Sequence, residues 1–388
     1  MTPVELSRTV LRAVRRAVDG GELSVAVPER AVVTRPGPGG SGDYATNVAL
    51  QLARPAGRPS EQVAEILRPY LLDAPGVTDV TVTGPGFLNI SLGDTASVAL
   101  VEEILRRGKR YGHSRGPSPD FLRLACPEEV RAVVVMDAVA RILRSQGAAV
   151  HTWCAAEPSA QWVDVLGVRV DGHPPKKPHA PQLHLPVRPV PAPVDPLPLG
   201  RDAARWALLY PAAHDRPRIT DEHLVQRESN PLFRIRYTHA RTRALSRNAA
   251  DLGFEAVPGD VQLGEPHVGD AHPAEFHPAE RHSGEPRTAE PHPGEPRDAH
   301  RTLGVLITTL ADHPRVLAQA AAHRTPDRLA RHLVTVADAA LPFLPTVLPR
   351  GDEKPSAAHR ARLALAEAVG AVLAGGLTLL GIDAPDHI

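Results

Sequence analysis

Two stretches that cannot build a core set the limits within which the rest of the chain must fold. From Pro174 to Pro198 proline recurs so often that no interior strand or helix is expected there, because proline lacks the backbone donor that a ladder or helical turn needs. From Gly264 to Asp298 a pentapeptide runs seven times: GEPHV, GDAHP, AEFHP, AERHS, GEPRT, AEPHP, GEPRD. Gly or Ala stands first, an acid second, and His or Arg fourth. With so little apolar side chain the tract cannot close a core, so residues 258–300 read as a disordered insert. Five of the seven fourth positions are histidine: His267, His272, His277, His282 and His292. A five-residue spacing in an extended chain offers no fixed coordination geometry, so weak transition-metal binding is the lesser reading and no metal site is assigned.

The remaining length leaves room for two or three domains. Basic and acidic residues balance at 44 each. Any nucleic-acid affinity must therefore come from local patches and not from net charge. The two cysteines, Cys126 and Cys154, form no metal-spaced pair and no disulfide framework. No stretch reads as a transmembrane run. The N-terminus carries Arg8, Arg12, Arg15 and Arg16 on an amphipathic helical pattern without a signal-peptide core, so a reduced, cytoplasmic setting is expected.

Apolar residues at Leu6, Val10, Leu11, Val14 and Val18 predict a helix that Gly20 and Gly21 end. Two β-like runs follow, Leu23–Val27 and Ala31–Thr34, then a glycine-rich loop that lacks the Lys-Ser/Thr of a phosphate cradle. Residues Ala45–Ala53 and Ser60–Leu72 read as helices, and Thr78–Thr83 and Phe87–Leu92 as strands around Gly84-Pro85-Gly86. Residues 1–110 thus form an α+β domain. Beyond the insert, Leu303–Leu310, Pro314–Ala322, Pro326–Leu341 and Ala357–Leu380 show helical periodicity, with Thr325 and Ser356 as N-caps. Between the two tracts, Asn230 can cap a helix that Pro231 opens. On it Phe233, Tyr237, Ala240 and Ala244 fall in one row, flanked by Arg234, Arg236, Arg241, Arg243 and Arg247. An aromatic one turn from an arginine suits a stacked base with its phosphate held alongside. On pattern alone the simpler reading is a solvated arginine face over a packed aromatic row.

The segments L-G-R-D-A-A-R-W-A-L-L (Leu199–Leu209) and S-N-P-L-F-R-I-R-Y-T-H-A-R (Ser229–Arg241) resemble the opening of the anticodon-binding domain of arginyl-tRNA synthetases. The Asp-Ala-Leu-Arg signature of that family reads here Asp202-Ala203-Ala204-Arg205, one residue off. Later helices, Arg328–Ala340 and Arg362–Pro385, resemble the same bundle, including its Leu-Leu-Gly-Ile-x-Ala-Pro ending. Phe343-Leu344-Pro345 departs from the family's Phe-Tyr-Asn. Gly42–Ala53 and Gly84–Ile90 resemble the extra N-terminal domain that meets the tRNA elbow. The resemblance implies an all-α bundle over 199–388, with Tyr237, Arg241, Arg234 and Asn230 at the anticodon end. It also implies Phe87, Asn89 and Tyr44 at the elbow, where without the likeness Phe87 reads as a hairpin core residue.

The middle, 111–198, resembles only the first strand and first helix of the family's catalytic domain, a reduced α/β, Rossmann-like remnant. Glu129-Val-Arg-Ala-Val-Val-Val135 stands where the family carries His-x-Gly-His, and Lys176-Lys177 lacks the Met-Ser of its Lys-Met-Ser loop. Gln161–Val170 and His151–Cys154 are expected to add strands. From Asp137 to Leu199 only some sixty residues remain, while each further βα unit needs about 30. The leading expectation is a catalytically inactive relative of arginyl-tRNA synthetase that binds tRNA, most simply an arginine-accepting one, and takes no cofactor. The alternative is an arginine–tRNA ligase, which would use ATP. A third reading is a protein-binding adaptor on the same scaffold.

Overall fold

The computed structural model describes residues 3–34, 36, 42–92, 94–118, 121–172, 183–261 and 296–388. The glycine-rich loop, Lys176-Lys177 and nearly all of the pentapeptide tract lie outside the described residues.

Helix α1 (Pro3–Asp19) buries Leu6, Val10 and Val14 at helical spacing. It packs on α3 (Ser60–Leu72), which contributes Val63, Leu67 and Leu71. Beside them lies an antiparallel sheet in the order β1-β2-β4-β3, made of Val33–Thr34, Tyr44–Thr46, Phe87–Leu92 and Val77–Thr83. Helix α2 (Val48–Ala56) starts later than the periodicity suggested. Tyr44–Thr46 pairs with Leu88–Ile90, so Ala45 is strand and not helix. Leu23–Val27 forms no strand. The β3–β4 turn seats on the start of α3. Gly86 has φ 109°, and a Cβ there would lie 2.9 Å from the Ser60 backbone, so only glycine fits.

These elements own one core, and everything from α4 (Asp94–Arg107) onward owns a second. Helix α4 was not foreseen. Its Leu100, Val101 and Ile104 join the second core, so the N-terminal body ends near Leu92 and not at 110. The second core holds a parallel sheet in the order β6-β5-β7, made of Ala149–Cys154, Phe121–Cys126 and Leu183–Pro186, with α5 (Val130–Ser145) as the crossover. Strand β7 lies inside the proline-rich tract, where no interior strand was expected. It sits at the sheet edge, the one place where proline's missing donor is tolerated. The run Gln161–Val170 holds a helix, α6 (Ala160–Leu166), in place of the expected strand.

The same core continues into α7 (Gly200–Leu209), α8 (Pro231–Asp251), α9 (Pro296–His323), α10 (Pro326–Ala340) and α11 (Ala357–Leu380). Residues 111–198 and the bundle are therefore one packed body and not two. Pro314 falls inside α9, which runs unbroken where two helices were expected, and α9 already begins inside the stretch assigned to the insert. Ser356 caps α11 through a capping box with His359, whereas the Thr325 side chain makes no cap bond. Helix α11 is long and apolar enough to cross a membrane, contrary to the first reading of the sequence. In the fold 83% of its apolar window is buried, as for the central helix of a bundle.

Candidate nucleic-acid interface

Helix α8 begins at the cap that the sequence marked, Asn230. The Asn230 Oδ1 accepts from the Leu232 and Phe233 N–H groups at 3.1 and 3.5 Å, while its Nδ2 donates to the His223 and Val225 carbonyls. The amide is buried and fully engaged, so Asn230 is a cap and not a contact for RNA. Two turns on, the His239 ring shares a 3.0 Å hydrogen bond with the Pro385 carbonyl, and burial holds its pKa below the usual histidine value. It ties the helix to the C-terminal segment. Behind it α8 meets α11 at Gly370, where a Cβ would lie 2.5 Å from the Thr242 hydroxyl.

The Asp202-Ala203-Ala204-Arg205 segment is equally structural. The fully buried Arg205 guanidinium donates to Asp137 Oδ2 at 2.6 Å, the Leu380 carbonyl at 2.7 Å and the Leu166 carbonyl at 3.0 Å. One side chain thus pins α7 to α5, α6 and α11. Asp202 accepts from the Asp383 N–H and pairs with Arg236.

On the outer face, the Phe233 and Tyr237 rings stack with centroids 5.7 Å apart, and Tyr237 remains 37% exposed. Ala240, placed in this row from the sequence, is buried. Most of the arginines are already engaged. Arg234 pairs with Asp338 at 3.0 Å, Arg236 with Asp202 at 3.5 Å and Arg243 with Asp386 at 3.2 Å, while Arg247 donates to His387. Arg241 is exposed and has no ion pair among the described residues. Tyr237 and Arg241, one turn apart, therefore form an aromatic face with an adjacent available cation. A groove of about 510 Å³ beside Phe233 and Arg236 is lined also by Asp202 and Asp383. Arg201 lines it as well, so the groove carries both signs of charge.

In the N-terminal body the three elbow candidates separate. Phe87 begins β4 beyond the reach of β2 and is 39% exposed. Asn89 sits between Ala45 and Thr81 in the central strand, is 3% exposed, and donates to the Thr83 hydroxyl and the Thr81 carbonyl. Tyr44, also 3% exposed, belongs to the core. Asn89 and Tyr44 were read as contacts; burial makes them supports, and Phe87 alone stands at the surface.

The turn from β5 into α5 carries a feature the sequence did not announce. Glu129 caps α5 with both carboxylate oxygens: Oε1 accepts from the Arg131 and Ala192 N–H groups and Oε2 from Ala132. Arg131, buried beneath, donates to the carbonyls of Val190, Leu208, Pro211, Ala212 and Asp215. The helix start is thus filled by the chain's own anion and roofed by residues 190–215.

Two family models match the chain: the arginyl tRNA synthetase N terminal domain over residues 5–92 and the DALR anticodon binding domain over residues 281–388. The chain belongs to the arginyl-tRNA synthetase family. Curated relatives named arginine–tRNA ligase include that of Frankia alni, 40% identical over 157 residues, which are 38% of this chain and 28% of the relative. The one from Renibacterium salmoninarum is 41% identical over 163 residues, 39% of this chain and 30% of the relative. The chain therefore spans less than a third of the length of the relatives it matches. Among solved structures, Thermus thermophilus arginyl-tRNA synthetase superposes with a TM-score of 0.61 at 15% identity over the whole of both chains. The Plasmodium falciparum arginyl-tRNA synthetase gives 0.65 at 9%, covering 100% of this chain and 99% of that one. At such identity the likeness concerns the fold.

Proposed function

We propose that this member of the family binds tRNA through the outer face of α8 and through the Phe87 edge of the N-terminal body, and that it does not activate arginine. The family places ATP phosphates at the start of the helix that follows the first strand of its catalytic domain. A helix N-terminus attracts anions through its free N–H groups and its dipole. In this chain the Glu129 carboxylate takes those N–H groups, and a phosphate brought to the same point would meet a like charge. That single arrangement carries the non-catalytic reading. Arg131, spent on five backbone carbonyls, holds the roof that covers it.

The names of the curated relatives favour a second reading, an arginine–tRNA ligase. The two separate in one assay. Arginine-dependent exchange of pyrophosphate into ATP is expected to be absent, and measurable exchange by the purified chain would establish the ligase. Binding is tested apart from catalysis by the double variant Tyr237→Ala, Arg241→Ala. Its tRNA affinity is expected to fall by at least tenfold, and unchanged affinity would remove α8 from the interface.

A further inference from the structure

Cys126 and Cys154 are 28 residues apart in the chain, which is why their spacing suggested no pairing. In the fold they end neighbouring parallel strands in direct register, β5 against β6. Adjacent strands lie about 4.8 Å apart, inside the Cα window that a disulfide spans. Both side chains turn into the same core, and their sulfurs approach to 2.8 Å, nearer than two unbonded sulfurs rest. They are the only cysteines of the chain. Each is buried, yet each is followed at once by an exposed residue, Pro127 and Ala155, so the pair lies just under the surface at the crest of the sheet.

We propose that Cys126 and Cys154 are a modification site, an intrachain dithiol that a small neutral peroxide converts to a disulfide. The two sulfurs are not equivalent. Hydrogen bonding from Cys126 lowers the pKa of the Cys154 thiol, while the same bond and burial raise that of Cys126. Cys154 is accordingly the attacking thiolate. It displaces hydroxide from hydrogen peroxide, forming the sulfenic acid. Cys126, losing its proton, attacks that sulfur, forms the S–S bond and expels the second oxygen as water. In sum two thiols and one hydrogen peroxide give one disulfide and two waters; sulfur loses the two electrons that oxygen gains. The bond would weld the ends of β5 and β6 beneath the Pro127–Glu129 turn.

The test uses the full chain, purified reduced, exposed to rising equivalents of hydrogen peroxide, then unfolded and alkylated for intact-mass measurement. Both thiols are expected to vanish together, the mass falling by two hydrogens, with the chain still single on a non-reducing gel and both thiols restored by a dithiol reductant. In Cys126→Ser, with Cys126→Ala read alongside it, Cys154 is expected instead to gain oxygen and to be trapped by dimedone. The proposal is overturned if the wild-type chain keeps two alkylatable thiols. It is equally overturned if the thiols are lost as sulfinic acids or as disulfides between molecules.

Discussion

Arg241 and Arg243 lie two residues apart on one helix and differ in what they can give an RNA. Arg243 already faces Asp386, so a phosphate there must compete with a carboxylate. Arg241 faces solvent. A hydrogen bond to a charged group contributes about 1.5–3 kcal/mol. Arg241→Ala is therefore expected to weaken tRNA binding roughly ten- to hundredfold, and Arg243→Ala to change it far less, as filter binding at fixed low salt will read. Tyr237→Ala is expected to lose about 1–3 kcal/mol of stacking while leaving the salt slope unchanged. A different kind of residue is Arg205, whose guanidinium is buried against Asp137. Asp137→Asn leaves that charge without its counter-ion and is expected to cost about 3–5 kcal/mol, measurable as a lower urea midpoint. The sequence displayed both arginines but not the difference between them. A signature residue that pins four helices and one that is free to meet solvent look alike until burial separates them.

Helix α8 shows which elements can be read from sequence. Asn230 and Pro231 mark its start, and Asn230→Ala is expected to cost about 1 kcal/mol of stability in thermal unfolding. Helix α3 and strands β3 and β4 were legible for the same reason, since local periodicity and local punctuation agree. Ala45 was not legible, because its strand character comes from pairing with Asn89, far away in the chain. Neither was Asn89: its alternation matched Phe87, and only the strand order places it in the middle of the sheet. Pro314 was taken for a helix start, yet α9 runs through it, packed beside α10. At that point the His313 ring stacks on Tyr111 and lies tilted against His332, with His113 nearby. Burial, reinforced by the two neighbouring histidines, holds its pKa well below the ordinary value. The unfolded chain takes up a proton near pH 6.5 that the folded chain refuses, so stability is full above that pH and falls as pH drops below it. The loss is at most about 1.4 kcal/mol per pH unit for each such group. His313→Leu is expected to flatten the dependence between pH 6.5 and 5 in urea titrations, and an unchanged slope would assign it to other groups.

Across the whole molecule, two cores and not three domains organise the chain, and the N-terminal body meets the larger one where α1 touches α9. The family's anticodon-type bundle and its elbow-type domain are both present, and between them a three-stranded parallel sheet has been absorbed into the bundle's core. Length and proline content had indicated how little lies between the two ends. They could not indicate that Glu129 fills the start of α5 and that Arg131 holds residues 190–215 over it. On the proposed function, the chain grips tRNA by charge and stacking. The most direct measurement is a titration of the purified chain with an arginine-accepting tRNA and an unrelated tRNA at two salt concentrations. Tight binding that prefers the arginine-accepting tRNA and weakens steeply with salt is the predicted result. Binding to neither, at either salt concentration, would contradict it and make the α8 face a solvated surface.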